Sequence, residues 1–151
     1  MKATYKYLRR VPIFHRLSNR DLKSVAGIVI QRAFKKGDLL FAEGSRGDTL
    51  YIIVRGKVKI FKEAKRPGGA GKIVKIFEIL SEGEFLGEMA LLNHEPRCAS
   101  AMAMEDCWIY LIQKNEFTRV VLKNPEIALT ILEIVTRRLR EADVQIQDIT
   151  F

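Results

Sequence analysis

Glycine punctuates the middle of this chain at Gly37, Gly44, Gly47, Gly56, Gly71, Gly83 and Gly87, and short runs of β-branched and aromatic residues fill the intervals. Helices lose stability at every such break, whereas short strands joined by tight turns need them. Val58, Ile60, Ile73, Ile76, Ile79, Trp108, Tyr110 and Ile112 all lie in runs bounded by turn residues. Residues 65–71 (Lys-Arg-Pro-Gly-Gly-Ala-Gly) read as an exposed hairpin loop. Gly37-Asp38 and Gly47-Asp48 supply backbone freedom at sharp reversals. Residues 29–113 are therefore expected to form a sandwich or barrel-like β-roll.

Helical signals flank that region. Ser18 and Asp21 form a capping-box pair, with Leu17 and Leu22 placed as a hydrophobic staple, and Leu22, Val25, Ala26 and Val29 follow at helical spacing. A short helix is expected from about residue 18 to 28. After residue 113, Asn115 is placed to cap a short helix to about Leu122, and Asn124-Pro125 signals a second start. Beyond it Ala128, Leu132, Val135, Leu139, Ala142, Ile146 and Ile149 are spaced 4, 3, 4, 3, 4, 3, an unbroken heptad seam. Ile127, Ile131 and Ile134 form a second stripe beside its first half. One stripe can face the β-roll and the other a second chain. The competing arrangement is one wide stripe buried within the chain. The sustained heptads favour a parallel homodimer.

With 48% hydrophobic and 29% charged residues in 151, the chain can build a full core. No apolar run approaches a membrane span, and the amino terminus lacks the apolar stretch of a secretory signal. Cys98 and Cys107 are too few for a disulfide framework or a four-cysteine zinc site. These features describe an intracellular, cytoplasmic domain. The net charge of +8 is entirely amino-terminal: residues 1–40 hold ten Lys/Arg against two Asp, and the remainder balances. That patch reads as a solvated basic face, or else as an attractor of nucleic acid or an acidic surface.

Several chemistries lack their residues. A nucleotide P-loop ending at Gly71-Lys72 would need Gly at 66 and Ser or Thr at 73, where Arg66 and Ile73 stand. His15 and His94 have no helix-spaced metal ligands beside them, and no nucleophile–base signature supports catalysis. Residues 86–103 are more informative. Gly87 allows a tight turn at a strand end, and Met89-Ala90-Leu91-Leu92 can form a helical turn whose N–H groups face an anion. Arg97 brings a planar guanidinium suited to bidentate phosphate binding. Glu88 would repel a bare phosphate, but suits a ligand that also carries a sugar hydroxyl. The set describes a small molecule with one phosphate and one ribose hydroxyl.

Two stretches, in order, carry a resemblance. Leu86-Gly87-Glu88 leads to Arg97, and Leu40-Phe41-Ala42-Glu43-Gly44 leads through Gly47-Asp48-Thr49-Leu50-Tyr51-Ile52-Ile53-Val54 to Gly56. The sequence resembles the cyclic-nucleotide-binding domain over nearly its whole length. The resemblance implies a single domain over 1–151, mainly β with flanking helices. It would be a double-stranded β-helix (jelly-roll) with a phosphate-binding cassette at 86–103 and carboxyl-terminal helices over 115–151. By resemblance Glu88 holds the ribose 2′-hydroxyl and Arg97 the cyclic phosphate. Backbone N–H groups of Ala90, Cys98 and Ala99 complete the cradle, with Gly87 and Met89 in the same cassette. The ligand implied is cAMP or cGMP, with no metal, in a non-enzymatic binding module.

The last helix looks like the dimer helix of catabolite-activator-type transcription regulators. In those proteins a winged helix-turn-helix domain follows. Here the chain ends near Phe151, so it reads as a sensor domain from a longer regulator or as a stand-alone sensor, and DNA is a partner only through such a further domain. Two positions depart from the pattern. Cys98 stands where Ser, Thr or Ala is usual, and reads as a small apolar filler or a redox-sensitive thiol. Ala142 and Asp143 replace the hydroxyl side chains that read adenine. Asp143 could accept from the adenine amino group or the guanine edge, or be a solvated charge. The rivals to a cAMP sensor are a degenerate fold binding another small anion or nothing, and a dimerisation module.

Overall fold

The computed structural model describes residues 2–12, 14–87 and 96–149, and for residues 2, 3, 131, 134, 135, 138 and 142–149 it describes the backbone alone. The chain divides into two compact units, one of residues 28–117 and one of residues 1–27 with 118–151.

Among the described residues the first unit contains eight strands: β1 (Ile30–Phe34), β2 (Leu39–Phe41), β3 (Thr49–Arg55), β4 (Val58–Lys65), β5 (Lys72–Leu80), β6 (Phe85–Leu86), β7 (Ser100–Ala103) and β8 (Cys107–Gln113). They form two four-stranded antiparallel sheets, ordered β1-β8-β3-β6 and β2-β7-β4-β5. Because consecutive strands, apart from the β4–β5 hairpin, lie in different sheets, the core is assembled from residues distant in sequence. Phe34, Leu40, Tyr51, Ile53, Ile109 and Leu111 share one buried cluster. Leu50, Ile52 and Ile112, on the opposite faces of β3 and β8, are also fully buried. That explains why Leu50 to Val54 reads as an uninterrupted apolar run rather than an alternation.

The hairpin expected at residues 65–71 is present: β4 and β5 pair as far as Lys65↔Lys72, and the Arg66 N–H donates to the Gly71 carbonyl at 3.2 Å. β5 is a sheet edge, and Ile73, Val74, Ile76, Phe77 and Ile79 along it are about half exposed. Gly37 has φ +92, as a sharp reversal requires. Gly47 does not adopt a positive φ, so its presence needs another reason.

The second unit is helical. It contains α1 (Lys2–Leu8), for which the sequence showed no signal, and α2 (Asn19–Ala26). Ser18 is the N-cap of α2: its Oγ accepts from the Asp21 N–H at 3.2 Å and donates to the Asp21 carboxylate at 2.8 Å. Leu17 and Leu22, the expected staple, are both buried. α3 (Lys114–Lys123) starts one residue before Asn115, which therefore lies in its first turn and is not its cap. α4 runs from Pro125 to Ile149, 25 residues, with Pro at the first position as its signal required. Ile127, from the second apolar stripe, is fully buried, whereas Leu132 and Leu139 of the heptad seam are 61% and 63% exposed. No helix among the described residues is long and apolar enough to cross a membrane.

The amino-terminal basic patch is partly committed to local structure. Arg9 donates to the Asn19 side chain and to the Leu17 carbonyl at 3.3 Å, and Arg16 pairs with Glu133 at 3.3 Å.

Candidate functional site

Among the described residues Arg97 is one of the few charged or polar side chains that are buried, with 8% of its surface exposed. Its backbone is fixed before its side chain is considered. The Arg97 N–H donates to the Ser45 carbonyl and the Gly44 N–H donates to the Arg97 carbonyl, both at 2.8 Å. Three residues on, the Ser100 hydroxyl accepts from the Glu43 N–H at 2.9 Å. The segment entering β7 is thus laced to the turn that follows β2. That lacing aims Arg97 back across the end of the roll.

The side chain then runs between two glycines. A Cβ built on Gly47 would stand 2.8 Å from Arg97 Nη2, and one on Gly87 would stand 2.8 Å from Nη1 and 2.7 Å from the Thr49 carbonyl. Gly47 is therefore required by the close approach of the guanidinium, which corrects its reading as a turn residue. Gly87 meets both demands, since its φ of +88 also provides the turn expected at the end of β6. Nη2 donates to the Thr49 carbonyl at 3.1 Å. The guanidinium carbon lies over the Phe41 ring, 4.3 Å from its centroid, and 6.0 Å from that of Tyr51.

The aromatic pair is itself braced. The Phe41 and Tyr51 rings are 5.7 Å apart and tilted, and the Tyr51 hydroxyl donates to the Leu40 carbonyl at 3.1 Å. Burial pushes the Tyr51 pKa above its ordinary value, and the nearby Arg97 charge partly opposes that shift. A buried guanidinium is costly unless hydrogen bonds and ring faces compensate it. Thr49 and Phe41 supply part of that compensation.

Gly87 and Arg97 are thus brought together, as the sequence implied. Ala99 is buried beside Arg97. Cys98 faces solvent, so it does not act as an apolar filler. Cys107 is the buried cysteine; its thiol donates to the Lys57 and Glu105 carbonyls, and burial raises its pKa. Glu88, Met89 and Ala90, with the helical turn expected at 89–92, lie outside the described residues. Asp143 lies on α4, and its side chain is likewise outside them. Among the described residues no cluster of His, Cys, Asp or Glu could hold a metal ion. The sequence reading assigned no role to Phe41, Thr49 or the Gly47 slot, although all three lie inside the first signature stretch.

Residues 31–124 match the family model of the cyclic nucleotide-binding domain. The chain is 30% identical over 140 residues to the cyclic AMP receptor protein of Thermus thermophilus, covering 93% of this chain and 62% of that protein. It is 33% identical over 126 residues to the cAMP-dependent protein kinase regulatory subunit of Mycosarcoma maydis, covering 80% of this chain and 23% of that subunit. The chain therefore spans less than two thirds of either relative. Among solved structures it resembles the Thermus thermophilus catabolite activator protein, with a TM-score of 0.80 and 30% identity, covering 93% of this chain and 63% of that one.

Proposed function

The chain belongs to the cyclic nucleotide-binding domain family, and on that premise we propose that it is the cytoplasmic ligand-sensing domain of a transcription regulator, with cAMP as its effector. The observation that carries this reading is the buried guanidinium of Arg97, held at the end of the roll between two glycines. A planar cation so placed suits the cyclic phosphate, because both of its terminal nitrogens can donate to one anion. Glu88 takes the ribose 2′-hydroxyl. The N–H groups of Ala90, Cys98 and Ala99 complete the phosphate cradle, with Gly87 and Met89 shaping the segment. The resemblance to a cyclic AMP receptor protein supports cAMP over cGMP.

The regulator works as a homodimer through α4, whose exposed Leu132 and Leu139 continue the heptad seam. Ligand binding organises the phosphate turn around the pre-positioned Arg97 and shifts α4 between two arrangements, the bound one favoured by its higher affinity. The domain senses and does not catalyse. DNA is a partner only where a further domain follows in the natural regulator.

Titration calorimetry with cAMP and cGMP in parallel tests the reading. Saturable binding of cAMP, tighter than cGMP, is expected. Binding of neither would leave the fold as a dimerisation module. Glu88→Gln should weaken cAMP and reduce its advantage over 2′-deoxy-cAMP; an unchanged ratio would remove Glu88 from the ribose role.

A further inference from the structure

We infer that Phe41 is a positioning residue for the phosphate-binding guanidinium, a ring platform that holds Arg97 in its binding pose before any ligand arrives. The inference rests on the assignment of Arg97 to the phosphate. Three observations support it. The guanidinium carbon lies 4.3 Å from the Phe41 ring centroid, well inside the roughly 6 Å over which a ring face attracts a cation. The Phe41 ring is backed by Tyr51, whose hydroxyl is tied to the Leu40 carbonyl. Gly47 and Gly87 also hem in the guanidinium, since a Cβ on either would stand 2.8 Å from one of its terminal nitrogens.

An arginine side chain carries substantial rotamer entropy, and a ligand that must first order it loses affinity by that amount. Here the ring and the Thr49 carbonyl do the ordering in advance. Phe41 ends a three-residue strand and is only partly buried, a position where core packing alone would accept any apolar side chain. A leucine fills similar space but has no ring face, and a tyrosine keeps it. That difference separates positioning from packing.

The test compares Phe41→Leu and Phe41→Tyr by calorimetric titration with cAMP, together with the Arg97 Nε–Hε proton resonance of each free protein. In the parent the Phe41 ring current should shift that resonance upfield. The leucine variant should lose the shift and bind cAMP about fivefold more weakly. The tyrosine variant should keep the shift and bind within twofold of the parent. Leucine binding within twofold of the parent would overturn the inference, and so would an equal loss in both variants, which would assign Phe41 to packing. A parent that binds neither cAMP nor cGMP would instead sink the proposed function. In that event an upfield Arg97 resonance would still report the ring contact.

Discussion

Substituting Gly47 by alanine separates the geometry of the site from the stability of the fold. The new Cβ would lie 2.8 Å from Arg97 Nη2, 3.1 Å from Nε and 3.4 Å from Cζ. Restoring ordinary contact moves the guanidinium by about 0.6 Å, the difference between 2.8 and 3.4 Å. Gly47 has no positive φ, so alanine meets no backbone strain. Losing the unfolded chain's extra freedom should even stabilise the fold, by about 0.4–1 kcal/mol. A displaced guanidinium can still reach a phosphate with one nitrogen but not with both. One charge-assisted hydrogen bond is worth about 1.5–3 kcal/mol, roughly a 10- to 150-fold loss of affinity. The expected result is a melting temperature unchanged or slightly higher, with cAMP affinity down at least tenfold by calorimetry. Gly87→Ala is the contrast. Its φ of +88 and the Thr49 carbonyl at 2.7 Å make alanine costly to the backbone as well, by about 1–2 kcal/mol for handedness alone. That variant should lose stability and binding together. A folded Gly47→Ala protein that binds cAMP within threefold of the parent would refute the placement of Arg97 as the phosphate ligand.

Arg97→Ala should cost about 2–5 kcal/mol of nucleotide affinity while the domain stays folded, and binding within threefold of the parent would refute it. The same substitution should push the Tyr51 pKa higher still, because the Arg97 cation favours the phenolate and burial already opposes it; ultraviolet pH titration reads this, and a fall would contradict the arrangement. Placing glutamate at both Leu132 and Leu139, each more than 60% exposed, should give monomers in sedimentation velocity, whereas an intact dimer would move the interface elsewhere. Asp143→Ala should weaken one nucleotide selectively, by roughly 1–3 kcal/mol if the carboxylate accepts a hydrogen bond from the base; equal affinities before and after, for both nucleotides, would make Asp143 a solvated charge.

The features legible in the sequence were those set by near neighbours. Ser18 and Asp21 mark the start of α2, Asn124-Pro125 marks the start of α4, and the glycine-rich loop at 65–71 joins β4 to β5 because turn chemistry and caps act within a few residues. Asn115 missed the cap position because the helix begins one residue earlier, at Lys114. The absence of any signal for α1 has the same origin, since its seven residues carry no acidic first turn.

Composition and periodicity by themselves determined that the centre of this chain is a set of short strands between helices, and the motif at 86–103 put Gly87 and Arg97 in one segment. Only the tertiary structure decided how Arg97 is held. The platform of Phe41 and Tyr51, the carbonyl of Thr49 and the space left by Gly47 come from the stretch spanning β2 to β3, whereas Arg97 precedes β7. They meet because β2 pairs with β7, and because residues 44 and 45 exchange backbone hydrogen bonds with Arg97. Strand register between distant segments follows from the closure of two sheets over one core. No local propensity encodes it, so a buried cation between two glycines becomes visible only when the roll is closed.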